Sequence, residues 1–335
     1  MKKKMAVLIT GVVMGILGLL GSTRQVYATE LPAADVLVPT VGVAVTEPLV
    51  NVTPGMEYLT MNRDTKVHTM PGTSWQEIGN LRAGQPAISF GNTDNGWKQI
   101  YYIGQIGYIP GDAARPYEIP EAVSQQPVSI DGEIKINALG DSITYGDKLN
   151  NQVFAYPHRL GAACGAVKVN NYGWNGSAIG GIHPDKFIER YMAMDRDANL
   201  ILVFGGTNDY AGYREPGTPI GKIGDTSQEC FYGALNLMMC GLKQMYPDAE
   251  IVFMTPLKRV GYMRRNQKGY CLNQYVTAIN EMANFYGIRV VDLFNEPELD
   301  FSSKKNLYLV DGLHPNEMGQ ALVSVYLYRT LFGNN

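Results

Sequence analysis

Charge is scarce in this sequence. Asp, Glu, Lys and Arg make up 18% of its 335 residues, below the roughly 25% of an average globular chain. Neither sign dominates: 28 Lys plus Arg face 31 Asp plus Glu, a formal net charge of −3. That excludes the broad positive field of a dedicated nucleic-acid binder. Cysteine is rare too. The four cysteines form no Cys-x-x-Cys pair, and no histidine pattern stands beside them to activate a thiol. No His-Glu-x-x-His or three-histidine pattern points to a metal. No G-x-G-x-x-G opens a helix, which argues against a dinucleotide cofactor. No G-x-S-x-G elbow occurs, which argues against an ordinary α/β-hydrolase. No long apolar run follows residue 20, so the mature chain is expected to be soluble, with no membrane span.

What is present begins with an address label. Lys2, Lys3 and Lys4 precede an apolar run over residues 5–20. Val26-Tyr27-Ala28 places small residues at the −3 and −1 positions. This is the layout of a secretory signal peptide over residues 1–28, and the protein is expected to be secreted. An uncleaved anchor is the alternative, but the run is short of the roughly 20 residues that span a bilayer. Export permits disulfides. Cys230 and Cys240 fall on one predicted helix, too far apart along it to pair. Buried thiols are therefore the simpler reading for Cys164, Cys230, Cys240 and Cys271.

Residues 29–51 carry Pro32, Pro39 and Pro48 among small residues and read as an extended linker. Over residues 52–118 short strand patterns alternate with turn signals, and no helix is predicted. Ile78-Gly79-Asn80-Leu81-Arg82-Ala83-Gly84, Asn95-Gly96-Trp97 and Gly104-Gln105-Ile106-Gly107-Tyr108-Ile109 follow in order. These motifs resemble the bacterial Src-homology-three-like domain, a small all-β barrel. The resemblance implies binding of a cell-wall glycan or peptide, with a ligand-free spacer as the alternative. Pro120 and Pro127 mark a second linker over residues 119–130.

Strands and helices then alternate over residues 131–335. Strand-like runs cover residues 134–139, 167–170, 200–204, 251–254 and 288–293. Phe231, Leu235, Met238, Leu242 and Met245 trace one face of a helix, and so do Gln274, Val276, Ile279, Met282 and Phe285. Such alternation predicts an α/β fold, a parallel sheet with helices on both faces. Ligands of such sheets bind beyond the carboxyl ends of the strands. Four polar or glycine clusters fall at those ends: Gly140-Asp141-Ser142, Gly173 to Gly176, Gly206-Thr207-Asn208-Asp209, and Asp311-Gly312-Leu313-His314.

At these residues the chain resembles the SGNH (GDSL-type) hydrolases, whose blocks appear here in order across the second domain. The resemblance implies a flavodoxin-like three-layer fold and a serine esterase with no cofactor. It assigns Ser142 as nucleophile, His314 as base and Asp311 as its carboxylate partner. Ser142 N–H, Gly176 N–H and the Asn208 amide would form the oxyanion hole. The chemistry is coherent, because a serine hydroxyl attacks only once a base takes its proton. Asp311 precedes His314 by three residues, about one turn if the loop is helical, and could fix its tautomer. Simpler alternatives exist. Ser142 could cap a helix, and Asn208-Asp209 could form an Asx turn. Asp141 reads as structural. Of the other histidines, His68 lies in the first module and His158 on a helix without an acid partner. His183 precedes Pro184-Asp185 and reads as a helix cap.

Tyr145, Tyr172, Trp174, Tyr210 and Tyr213 stand within a few residues of the blocks. They could stack on a sugar, line a core or cradle an acyl chain. Lys258, Arg259, Arg264, Arg265 and Lys268 follow the fourth strand, either as a solvated face or as a binder of an anionic polymer. The expected substrate is an ester of an acylated carbohydrate or cell-wall polymer, with a short acyl group such as acetyl. Alternatives are a lysophospholipase or lipolytic esterase, and an inactive wall-binding protein. A glycosidase using Glu296, Glu298 and Asp300 is disfavoured, because all three share one turn-like loop.

Overall fold

A computed structural model describes residues 50–120, 126–211 and 216–333. The signal peptide, nearly all of the first linker, residues 121–125 of the second, and Tyr213 lie outside the described residues. From Val50 onward the chain forms one compact unit.

Seven strands come first: β1 (Val52–Met61), β2 (Thr65–His68), β3 (Glu77–Leu81), β4 (Pro86–Thr93), β5 (Trp97–Tyr102), β6 (Gln105–Pro110) and β7 (Ala114–Pro116). They pair antiparallel in the order β3-β2-β6-β5-β4-β1-β7. Asn95-Gly96, with Gly96 at φ +82°, turns β4 into β5. Leu59, Met61, Val67, Leu81, Ile100 and Ile109 fill the core of this sheet.

The second part holds β8 (Lys135–Gly140), α1 (Ser142–Tyr145), α2 (Tyr156–Cys164), β9 (Lys168–Gly173), α3 (Phe187–Arg190), β10 (Leu200–Phe204) and α4 (Thr207–Ala211). After these come α5 (Phe231–Met245), β11 (Glu250–Met254), α6 (Leu272–Tyr286), β12 (Arg289–Val291), α7 (Lys305–Tyr308) and α8 (Glu317–Phe332). All five strands are parallel, in the order β12-β11-β10-β8-β9. Numbered within the sheet this is 2-1-3-4-5, the flavodoxin-like arrangement, and its chain reversal falls between β8 and β10. Alternate residues of each strand face opposite layers. Leu200, Leu202, Val252 and Met254 pack toward α2 and α8, whereas Ile201, Val203, Ile251 and Phe253 pack toward α5 and α6. Burial on both faces explains why these strands read as continuous apolar runs.

The apolar stripe predicted for α5 is buried, but so is almost every other residue of that helix. The reason is a second covering layer. The antiparallel sheet rests on α5, and Ile88 and Tyr101 join its cluster. Gln244 Nε2 donates to the carbonyls of Pro86 and Tyr101, both at 3.1 Å, while its Oε1 accepts from Ile103 N–H. The Tyr101 and Tyr191 hydroxyls share a hydrogen bond of 3.0 Å. Arg82 makes two bonds to the Asp248 carboxylate, at 2.6 and 2.7 Å. In α6, Gln274 is exposed rather than inward, because its side chain accepts from Cys271 N–H at the helix start. Tyr275 and Tyr286 take the buried positions instead.

All four cysteines are free. Cys240 is buried within α5, and burial pushes its thiol up to about 12. Cys230 stands at the N-cap of that helix rather than inside it.

Candidate active site

The site is assembled where β8, β9 and β10 end. Asp141 is the N-cap of α1, and its carboxylate accepts from Ile143 N–H at 2.8 Å. The capping role therefore belongs to Asp141, which leaves the Ser142 hydroxyl for other partners. Gly146, at φ +87°, ends the single turn in a left-handed conformation. Two glycines let that turn press onto the strand ends. A Cβ at Gly140 would collide with the Thr144 side chain, and one at Gly173 with the Tyr145 backbone.

His314 Nε2 lies 2.9 Å from Ser142 Oγ, across 172 residues of sequence. His314 Nδ1 lies 2.7 Å from Asp311 Oδ2. The segment between Asp311 and His314 is not helical, so the condition of a helical loop is not met. Asp311 Oδ1 accepts from Leu313 N–H at 3.1 Å and His314 N–H at 2.9 Å, closing a tight Asx-type turn. Gly312 supplies the positive φ of +85°, and Val310 N–H donates to the His314 carbonyl. Partial burial opposes ionisation of Asp311. The bonds from the His314 backbone and ring and from Leu313 outweigh it and hold the carboxyl below its ordinary range.

Gly176 lies in the loop after β9, at φ +77°. The neighbouring loop is pinned from three sides. Asn208 Nδ2 donates to the Ser177 carbonyl at 3.0 Å, spending one of its two N–H groups. The buried Asp209 carboxylate accepts from Ile179 N–H at 2.8 Å, Gly180 N–H at 3.0 Å and Thr218 Oγ1 at 3.0 Å. Asn208-Asp209 is thus no local Asx turn but a long-range clamp. Arg190 donates to the carbonyls of Tyr172 (2.7 Å), Gly140 (2.8 Å) and Asp185 (2.8 Å), and to Ser177 Oγ (3.0 Å). Burial lowers this guanidinium to about 10.

The aromatic residues divide. Tyr145 and Trp174 are 41% and 53% exposed. Tyr210 is only 5% exposed; its hydroxyl lies 2.8 and 2.7 Å from the Gly261 and Arg264 carbonyls. The Tyr172 hydroxyl accepts from Asp195 N–H, and its ring packs against the core. Tyr172 and Tyr210 hold loops; Tyr210 is buried and presents no open face for stacking, whereas Tyr172 is half-buried. The basic stretch is also not uniform. Arg264, Arg265 and Lys268 are exposed, but Arg259 turns inward, donates to Thr207 Oγ1 at 2.8 Å and lies over the Tyr210 ring.

His183 is buried and does not cap α3, whose N-cap is Lys186. His68 is buried in the first sheet against the Trp75 carbonyl, and His158 is half-buried on α2. Glu298 pairs with Arg329 of α8, and Asp300 accepts from Ser302 in its own loop, so both acids are engaged in holding the fold. Among the described residues no cluster of His, Cys, Asp or Glu could hold a metal ion.

Sequence reasoning missed Arg190, the clamp by Asp209, and Asp147, whose Oδ2 lies 3.7 Å from His314 Nε2. Only the position of Asp147, five residues beyond Ser142, gave a signal.

Residues 138–322 match the family described as GDSL-like lipase/acylhydrolase. A solved structure from Lactobacillus plantarum is 32% identical, with a TM-score of 0.53, over 58% of this chain and 94% of that one. A possible lipase from Chitinophaga pinensis is 23% identical, with a TM-score of 0.48, over 59% of this chain and 98% of its own. A lipase/acylhydrolase from Enterococcus faecalis is 21% identical, with a TM-score of 0.44, over 58% and 94%. No curated protein matches.

Proposed function

The chain belongs to the GDSL-like lipase/acylhydrolase family, a family of ester hydrolases, and on that premise we propose that it is a serine esterase releasing short acyl groups, acetyl above all, from carbohydrate or cell-wall polymers. The observation that carries the reading is the unbroken hydrogen-bond chain from Ser142 through His314 to Asp311. His314 Nε2 takes the hydroxyl proton as Ser142 Oγ attacks the ester carbonyl. Asp311 accepts from Nδ1–H, fixes the tautomer and stabilises the imidazolium. The tetrahedral oxyanion is met by the N–H groups of Ser142 and Gly176 and by the remaining N–H of the Asn208 amide. Collapse expels the alcohol, which takes its proton from Nε2. Water, deprotonated by His314, then releases the acid from the acyl-serine.

Tyr145 and Trp174, exposed beside the site, suit the faces of a sugar ring. The signal-like residues 1–28 support export, and the resemblance of residues 52–118 to a wall-binding module supports cell-wall association. One observation favours a lipolytic reading instead. Ile182, Met263 and Val310, on loops at the same sheet edge, are also exposed apolar side chains.

A panel of O-acetylated glycans and lysolipids, read as released acid, separates the two. Acetate release from glycans, lost in Ser142→Ala while the folded state persists, is the expected result. Turnover confined to lysolipids overturns the substrate class, and turnover by Ser142→Ala overturns the nucleophile.

A further inference from the structure

Asp147 lies beside His314 Nε2, the nitrogen that would hand its proton to a departing alcohol. Its Oδ2 is 3.7 Å from His314 Nε2, the same nitrogen that stands 2.9 Å from Ser142 Oγ. The Asp147 backbone N–H already serves the fold, donating to the Ser142 carbonyl at 2.9 Å beyond the end of α1. The carboxylate is not needed for that cap. It accepts from Asn175 Nδ2 at a long 3.3 Å and pairs with Lys148 Nζ at 3.0 Å. A carboxylate offers about four acceptor positions, so these two partners leave capacity unused. The side chain is 22% exposed and so open to a ligand.

We propose that Asp147 is a specificity-determining residue that accepts a hydrogen bond from a hydroxyl on the carbon next to the ester-bearing carbon of the leaving alcohol. This rests on the serine-esterase reading and narrows its substrate class to esters of vicinal diols, such as partly acylated sugars. The leaving oxygen takes its proton from Nε2 and so sits within about 3.2 Å of it. A neighbouring hydroxyl extends from that oxygen toward the second group flanking Nε2, which is Asp147. Lys148 already balances the charge of the carboxylate, so the pair suits a neutral hydroxyl better than a cationic substrate. Asn175, which donates to Asp147, is the residue preceding Gly176, so this acceptor and the proposed oxyanion donor share one continuous rim.

The test compares 2-hydroxyethyl acetate with 2-methoxyethyl acetate. The two share an acyl group, and the second carries a methyl in place of the donor hydrogen. The wild type should favour the hydroxy ester about tenfold or more in kcat/KM, as expected for a hydrogen bond to a carboxylate. In Asp147→Leu the ratio should fall to about one, and Asp147→Asn, which keeps an acceptor oxygen, should lie between. Each ratio is taken within one protein, so a partly folded variant does not distort it. Equal rates in the wild type, or an unchanged ratio in Asp147→Leu, overturn the proposal while the esterase reading stands. Turnover of either ester by Ser142→Ala overturns that reading, and this proposal with it.

Discussion

Gln320 of α8 donates from Nε2 to the Ile143 carbonyl at 2.9 Å, while its Oε1 accepts from Tyr156 N–H at 2.9 Å. One buried amide thereby fastens the helix that follows His314 to the turn that carries Ser142. Replacing Gln320 with Leu strands a buried carbonyl and a buried N–H. The expected cost is about 2–4 kcal/mol in a urea titration, from two unpaired buried groups. Activity of the folded fraction should fall through kcat more than KM, because the hydroxyl and imidazole lose their common anchor. Wild-type kcat in Gln320→Leu would show that the contact is not needed to position them.

The Asp209 clamp makes a second prediction. Asp209→Asn must turn an amide N–H₂ toward at least one donor that the carboxylate now accepts. Loss of about 2 kcal/mol or more is expected from the mismatched buried groups. The loop bearing Gly176 should shift, lowering kcat about 10- to 100-fold. A crystal structure of the variant with the loop unmoved and kcat unchanged would contradict this.

Asp141 gives a pH dependence of stability. Burial pushes its carboxyl up to about 7, although the Ile143 N–H and the nearby His314 pull the other way. The folded chain therefore holds this proton more tightly than the unfolded chain, where the group titrates near about 3.9. Its contribution to stability is full below about pH 4 and is lost as pH rises through about 7. Asp141→Asn keeps a capping oxygen and cannot ionise. The stability difference between the two proteins should change steadily across that window in chemical denaturation. A difference constant from pH 4 to 8 would refute the assignment.

Much of the architecture is legible locally. The runs at 200–204 and 251–254 are apolar at every position because both faces of the sheet are covered, and that alone marks a parallel core strand. The glycines at 140 and 173 show in sequence as strand ends, but only the fold shows that they admit α1 at close range. The periodicity of α5 gives one apolar face. It could not show that a second sheet buries the opposite side, since that depends on residues such as Ile88 and Tyr101 more than a hundred positions away.

The candidate site divides in the same way. Residue types that chemistry requires, a hydroxyl, an imidazole, a carboxylate and an amide at strand ends, stand out from sequence, and with them an ester hydrolase of the GDSL kind. Tertiary structure alone decided that Asp311 reaches His314 through an Asx-type turn rather than a helix. It also decided that Tyr172 and Tyr210 hold loops, and that Arg190, Asp209 and Gln320 tie together the sheet edge that carries the candidate site. The physical reason is that a strand or helix announces itself through the period of its own neighbours. A buried hydrogen bond has no such period, because its partner is set by where the chain returns.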